Sequence, residues 1–565
     1  MNRATTLFGS WRDYRVRWLR QDVIAGVTTA AVVLPQTLAY AALAGLPAYV
    51  GLYTAFVPML VYALFGTSRT LSVSSSATVA MLTGSALIAL APFHTGEALM
   101  RASATLTLLT GAMLLIAAAL RFGFLANFIS APVLTGFRAG IAVVVLSEQL
   151  PRLFGLHPQG DGRLEQLVSL VRSLPQTSVM TLVLGASTVV LLVALQRRYP
   201  RLPAPLLAVV LSTAAVIAFN LDRMGVEVVG QVPSGLPSIV LPDLRLVIEL
   251  WPAAMGIALM SFIQSLTAGQ AVVSAGEPYP APDVELRALG IADAAGAFFG
   301  CMPATGAASA TLVNVRAGAR SQLAGLFASL IALGAMLWLG PLLQDVPKAT
   351  LAAIAVVFAA TLINVKEFAA IRAVRRTEFI WALVALVGVV AMGALRGIVV
   401  AIIVSVMSLA YQALHPRLHV LRRKPGTRRF RPPSDRNPTD EDVPGLLVLR
   451  PEGRLFFGNA AYFGQLIQPL LARNRPRVIV LDLRAVFDIE YTALLALADA
   501  EAKQRAAGTE VWLAAMSPDV LEIVRRSPLY ARFGAERIFP TVADAIEAWD
   551  ELPDQHVVRV VDEDE

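Results

Sequence analysis

The sequence predicts an α-helical polytopic membrane protein of fourteen spans, built as 7+7 inverted repeats and followed by a small cytosolic α/β domain. Three observations predict it. Of 565 residues, 56% are hydrophobic and only 15% charged, where a soluble chain carries about 25% charge; the mean hydropathy is +0.64. The charge is unevenly spread: residues 379–395 carry none, whereas the chain from about Arg417 onward is as charged as a soluble protein. The apolar segments number fourteen and divide into two sets of seven, and an odd repeat unit necessarily inverts in the membrane.

A span needs about 20 apolar residues. Clear candidates are 23–43, 51–64, 99–120, 133–150, 179–195, 206–218, 253–273, 323–339, 351–362, 379–395 and 398–413; three weaker segments, 77–92, 286–299 and 307–315, are short or rich in Gly, Ser and Thr. Arg3, Arg12, Arg15, Arg17 and Arg20 precede the first span, which places the N-terminus in the cytosol, and an even count returns the C-terminus there. The basic loops Arg197, Arg198, Arg201 and Lys366, Arg372, Arg375, Arg376 fall on the cytosolic side of the same count. The polar start shows no cleavable signal peptide, so the first apolar run reads as a retained helix in an inner, cytoplasmic membrane.

The expected domains are a cytosolic segment 1–21, a transmembrane domain 22–414, a basic linker 415–443 and a soluble domain 444–565. The linker holds Arg422, Arg423, Lys424, Arg428, Arg429 and Arg431; contact with anionic lipid headgroups and plain solvation suit it equally. Beyond Gly445, short β-rich runs (446–449, 478–483, 511–514) alternate with amphipathic stretches (460–472, 493–507, 518–527), the mark of an α/β domain.

The net charge of +7 fits cytosolic arginines rather than a nucleic-acid partner. One cysteine, Cys301, and five scattered histidines provide neither a disulfide framework nor a zinc set, and no cofactor is expected. No nucleophile–base set or phosphate loop argues for an enzyme or an ATP-driven pump.

Matched oddities in the two halves point to a site. Spans 1 and 8 each carry a mid-span glutamine, Gln36 within Gln-Thr-Leu and Gln264 within Gln-Ser-Leu. An amide in hydrocarbon needs a cavity or a partner. Spans 3 and 10 open with small polar runs, Ser72 to Thr78 and Pro303 to Thr311. If each opens a half-helix, its free amides make an anion site without a basic side chain; close helix packing is the other use of such residues. The candidate substrate-binding set is the backbone of Ser76, Ala77, Ser309 and Ala310, with Thr78, Gln36, Tyr40 and Gln264. Intramembrane Asp293 and Glu148 are possible coupling residues; helix-to-helix hydrogen bonding suits Asp293 at least as well, and exposure at the outer end of its span is the simpler reading of Glu148.

These residues resemble the sulfate permease family of anion transporters, whose animal members include pendrin and prestin. The resemblance rests on Leu34-Pro35-Gln36-Thr37-Leu38-Ala39-Tyr40-Ala41, continuing through Gly45-Leu46-Pro47, Gly51-Leu52-Tyr53 and Phe65-Gly66-Thr67-Ser68-Arg69. It rests also on Pro303-Ala304-Thr305-Gly306 with Val313-Asn314 and Gly318-Ala319-Arg320. The C-terminal domain is similar to the STAS domain through Val478 to Arg484 and Ile489 to Leu494.

The resemblance implies a core domain (spans 1–4 and 8–11) moving past a gate domain (spans 5–7 and 12–14), an anion held between half-helices 3 and 10, and a homodimer. It implies secondary active transport of sulfate, bicarbonate or a dicarboxylate by an elevator-like motion, coupled to protons, to sodium or to exchange. An anion channel, or a sensor acting through the STAS domain, is the alternative. Three departures matter. Ala310 stands where many relatives have Arg, and Gln264 where many have Asp or Glu, which leaves the expected site neutral apart from helix dipoles. Thr492 stands at the serine that is phosphorylated in anti-sigma-factor antagonists; it is a possible regulatory residue or a cap for a helix starting at Ala493.

Overall fold

The computed structural model describes residues 14–88, 96–124, 130–156, 172–199, 202–230, 235–273 and 279–552. Two units separate, 1–406 and 407–565.

In the first unit every predicted span coincides with a helix. In chain order these are α1 (Leu19–Leu43), α2 (Tyr49–Phe65), α3 (Ala77–Ile88), α4 (Gly96–Ala119), α5 (Ala131–Leu153), α6 (Val179–Arg198) and α7 (Ala204–Phe219). The second half follows with α8 (Val247–Ala271), α9 (Pro282–Ala297), α10 (Ala308–Arg316), α11 (Leu323–Trp338), α12 (Lys348–Leu362), α13 (Arg376–Met392) and α14 (Ala394–Leu414). Among the described residues, six helices of this unit are long and apolar enough to cross a membrane, and five further apolar helices of 10–17 residues lie among them. α10 has nine residues, about 14 Å at 1.5 Å each, too short to span; the described part of α3 has twelve. Residues 89–92 of the third predicted span lie outside the described residues.

The halves interlock. α1 packs on α3 of its own half and on α10 of the other; α8 packs on α10 of its own half and on α3 of the other. That reciprocity is what two inverted copies require. The helices approach closely because small residues face each other. A Cβ on Gly136 would lie 2.0 Å from the carbonyl oxygen of Ala382, and one on Gly111 2.7 Å from the amide of Ala294. Backbone-to-backbone contact of this kind replaces the hydrophobic driving force that lipid does not supply. α8 begins six residues earlier than the apolar run, because Asp243 caps a preceding turn by accepting from the amide of Arg245, 3.0 Å.

In the second unit, six strands form one sheet in the order β4-β3-β5-β6-β7-β8, taking β1 and β2 for two short strands of the first unit given below. Here β3 is Leu418–Arg423, β4 Phe430–Arg431, β5 Leu446–Pro451, β6 Val478–Asp482, β7 Glu510–Ala514 and β8 Ile538–Phe539. β5 to β8 are parallel; β3 and β4 join antiparallel. Alternate residues face opposite sides. Leu447, Ile479 and Leu513 pack with Leu494 of the helix Tyr491–Ala506, while Val448, Val480 and Trp512 pack with Ile546 and Trp549 of the helix Val542–Asp550. Covered on both faces, the parallel strands read as unbroken apolar runs.

Two expectations need correcting here. The stretch 415–443 is not a plain linker, since it contributes β3 and β4. Four of the six basic residues named above pair within the same unit: Arg422 with Asp442 (3.0 Å), Arg423 with Glu441 (3.3 Å), Arg428 with Glu547 (2.8 Å) and Arg431 with Asp440 (2.7 Å). Thr492 is not a cap. The helix starts at Tyr491 with Glu490 in the N-cap position, and Thr492 is exposed in its first turn.

Candidate functional site

The half-helices begin where the chain briefly forms sheet. β1 (Val73–Ser74) pairs antiparallel with β2 (Thr305–Gly306), Val73 opposite Gly306 and Ser74 opposite Thr305. Ala307 adds a further bond, its amide donating to the carbonyl of Ser72, 2.9 Å. α3 starts three residues after β1 and α10 two residues after β2. Antiparallel strands carry the chain in opposite directions, so the two helices leave the pair oppositely and their N-termini converge on it.

The amides at those N-termini have two fates. In α3, Ser76 accepts from the amide of Val79 (3.3 Å), and the Ala80 amide reaches the Ser76 carbonyl (2.9 Å). In α10, the Thr311 amide reaches the Ala307 carbonyl, 2.9 Å. The amides of Ala77 and Thr78, and of Ala308, Ser309 and Ala310, find no acceptor among the described residues, as expected of a first turn. They concentrate partial positive charge at the strand pair.

α8 fixes this arrangement. Ser265 accepts from the amide of Gly306 (2.6 Å), Thr305 donates to the carbonyl of Ser261 (3.0 Å), and Ser76 donates to Oε1 of Gln264 (2.9 Å). Gly306 is required by space: an added Cβ would sit 2.7 Å from the Cα of Ser265. From the other side, the Ser72 amide donates to Thr311 Oγ1 (3.1 Å), Asn314 donates to the carbonyl of Thr70 (2.9 Å), and Thr29 of α1 donates to Asn314 Oδ1 (3.2 Å).

The predicted residues fall as follows. Ser76, Ala77, Thr78, Gln264, Ser309 and Ala310 gather at the pair; Ser76 and Gln264 touch. Tyr40 is buried in one cluster with Ala77 and meets Phe358 of α12 edge to face, ring centroids 6.3 Å apart. Gln36 lies one turn earlier on α1 and is buried. The Ala310 side chain packs against Ala30 and Val33 of α1 and Ala328 of α11, so its amide is what remains for a ligand. Asp293 is not at the amides. It is fully buried on α9 and accepts from the amide of Ala304, 2.8 Å, just before β2. Glu148 lies outside this group, half-buried on α5, four residues before Arg152, which donates to the carbonyl of Ala42 at 3.0 Å.

Ser265, Thr305 and Asn314 position the site; the sequence shows them within its motifs but does not mark them as site residues. Ser265 follows Gln264 directly, so the polar pair on one span was the available signal.

The sulfate permease family pattern matches residues 19–385, and the STAS domain pattern matches 437–545. A probable sulfate transporter of Mycobacterium tuberculosis is 34% identical over 548 residues, covering 95% of this chain and 97% of the relative. Human solute carrier family 26 member 6 is 32% identical over 480 residues, covering 80% of this chain and 63% of the relative. The inward-facing structure of the murine solute carrier 26 family member A9 anion transporter superposes with a TM-score of 0.86 at 22% identity, over 96% of this chain and 93% of that one. The transmembrane domain of a cyanobacterium bicarbonate transporter, BicA, gives 0.60 at 22% identity, over 70% and 98%. These structural likenesses show the fold. Family pattern, relatives and fold converge on one conclusion: the chain is a multi-pass membrane protein of the sulfate permease family of anion transporters, not an enzyme, and carries a STAS domain.

Proposed function

We propose that this protein is a secondary active transporter that carries a small dianion of the sulfate class across the cytoplasmic membrane by alternating access. The observation that carries the reading is the convergence of two half-helix N-termini on the β1–β2 pair, with free amides at Ala77, Thr78, Ala308, Ser309 and Ala310. Helix N-termini bind anions through such amides. Gln36, Tyr40, Ser76 and Gln264 line the anion's surroundings and select its shape by hydrogen bonds and packing. The relatives named as sulfate transporters support sulfate as the first substrate to test, ahead of bicarbonate and a dicarboxylate. α1 to α4 and α8 to α11 move as the core, past a gate of α5 to α7 and α12 to α14, in a homodimer whose termini lie in the cytosol. Thr492, exposed at the first turn of its helix, is the regulatory candidate of the STAS domain.

The test is uptake of labelled sulfate, bicarbonate and fumarate into proteoliposomes, with and without an inward proton gradient. Saturable uptake with counter-transport of one of these anions is expected. Non-saturating flux without counter-transport makes the protein a channel, and absence of flux for all three refutes the reading.

A further inference from the structure

The transmembrane unit holds three buried carboxyl side chains among its described residues: Asp22, Glu285 and Asp293. Two have both carboxyl oxygens hydrogen-bonded. Asp22 accepts from the amide of Arg320 (2.7 Å), the amide of Ser321 (3.1 Å) and the hydroxyl of Ser321 (2.7 Å). Glu285 accepts from Tyr62 on one oxygen (2.7 Å) and Thr67 on the other (3.1 Å). Asp293 differs. Its Oδ1 accepts from the Ala304 amide at 2.8 Å, while its Oδ2 is buried with no hydrogen-bond partner. No arginine, lysine or histidine forms an ion pair with it among the described residues. A buried charge without a partner is strongly disfavoured, and binding a proton removes that charge.

We propose that Asp293 is the proton-binding site of transport, its bare Oδ2 taking one proton from water on one side and releasing it on the other. The proposal deepens the transport reading above and rests on it. The link to the anion is short and covalent. Ala304 is the residue before β2, and Ala308, with the first free amide of α10, lies two residues beyond β2. A proton on Asp293 turns a charge-assisted bond at Ala304 into a weaker neutral one. It also removes a negative charge from the segment that presents the anion's amides. Proton and anion thereby favour each other on one moving body, which is symport.

The other ionisable groups on the elements packed around Asp293 are these. On α9 itself, Asp283 and Arg287 lie near its start, with Glu285 eight residues, or about 12 Å, before Asp293. The buried thiol of Cys301 faces it from the chain leading to β2, and α2 brings Tyr53 and Tyr62. The buried face of α4 offers Ser103, Thr107 and Thr110, its charged Glu97 and Arg101 pairing with each other at the exposed end. α8 has only the exposed Glu249 of its first turn.

The test uses full-length protein in proteoliposomes, labelled sulfate outside and a pH-sensitive dye inside. Wild type is expected to accumulate sulfate when the gradient points inward and to acidify the lumen as it does so. Asp293→Asn keeps the acceptor for Ala304 but cannot titrate. It is expected to lose at least tenfold in gradient-driven accumulation while sulfate–sulfate exchange survives, and Asp293→Glu is expected to restore accumulation. An Asn variant that accumulates like wild type overturns the proposal, as does a folded Glu variant that exchanges without accumulating. Where the variants fail to fold, infrared difference spectra of wild type decide: a buried carboxylic-acid band lost at high pH and regained on adding sulfate supports the site, and no such band overturns it. Wild type that exchanges sulfate but ignores the proton gradient overturns this proposal and leaves the transport reading intact; wild type with no flux of any anion removes the transport reading itself.

Discussion

Replacing Gly306 by alanine tests the site through one methyl group. The new Cβ would lie 2.7 Å from the Cα of Ser265, 2.9 Å from Leu71 Cδ1 and 3.0 Å from Ser265 Oγ. Ordinary contact begins at 3.4 Å, so β2 and α8 must separate by about 0.7 Å to remove the overlap. Overpacking of this kind costs about 1–3 kcal/mol, and stretching the bond from the Gly306 amide to Ser265 adds about 1 kcal/mol. The shift moves the amides of Ala308 to Ala310 relative to those of α3. Misplacement by 1 Å costs about a hundredfold in a positioned site, so about tenfold is expected here. The assay is initial-rate uptake of the transported anion into proteoliposomes, normalised to folded protein by size-exclusion chromatography and melting. Gly464→Ala is the control: it lies on the helix Ala460–Asn474, and its Cβ would meet nothing within 4 Å. A Gly306→Ala protein whose uptake stays within about twofold of wild type refutes the claim that the strand pair sets the anion site.

Further outcomes follow from other contacts. Ala77→Phe and Ala310→Phe each fill a site that is at most 7% exposed; each is expected to cost about 1–3 kcal/mol and to abolish uptake while the protein still inserts. Full uptake by the doubly substituted protein removes these positions from the site. Glu285→Ala strands the hydroxyls of Tyr62 and Thr67, so a loss of about 2–6 kcal/mol is expected at about 1–3 kcal/mol per unsatisfied group, read as a lower Tm in detergent; an unchanged Tm contradicts it. In the STAS unit, the hydrogen bond from Arg431 holds the Asp440 carboxyl below its usual range. A lowered folded value means that the pair stabilises above the unfolded value, about 3.9, and that this contribution is lost as pH falls through the folded value. Arg431→Gln should therefore speed amide exchange across β3 and β5 at neutral pH, and the difference from wild type should vanish in acid; a difference that grows in acid reverses the sign and refutes it.

What could be read from the sequence were properties carried by single segments. The apolar runs located the fourteen helices α1 to α14, because burial in lipid is written into composition; the short helix Val365–Val374, read as a basic loop, carries no such run. The small polar runs located both half-helix starts, because free amides need small neighbours. What the sequence hid were partners brought together by the fold. Ser76 meets Gln264 across 188 positions and Ser265 meets Gly306 across 41; no periodicity encodes either meeting. β3 reads as linker because Arg422 and Arg423 belong to a basic, proline-bearing run; their acidic partners, Asp442 and Glu441, lie 20 and 18 residues away. Thr492 stands at the phosphorylated-serine position by resemblance; its alternative reading as a cap fails because Glu490 occupies the cap position and the helix begins at Tyr491.

The strand pair between the half-helices has a kinetic consequence. Val73 and Ser74 are stitched to Gly306 and Thr305 by backbone bonds, and the stitch is clamped by Ser265 on one side and Asn314 on the other. Such a cradle cannot open by parting its two helices without breaking the sheet. On the proposed alternating-access motion, an ion held in it meets the same amides whichever face of the bilayer the cradle is turned to. Those amides then contribute equally from both sides, and the direction of net flow belongs to the gradients and to the membrane potential.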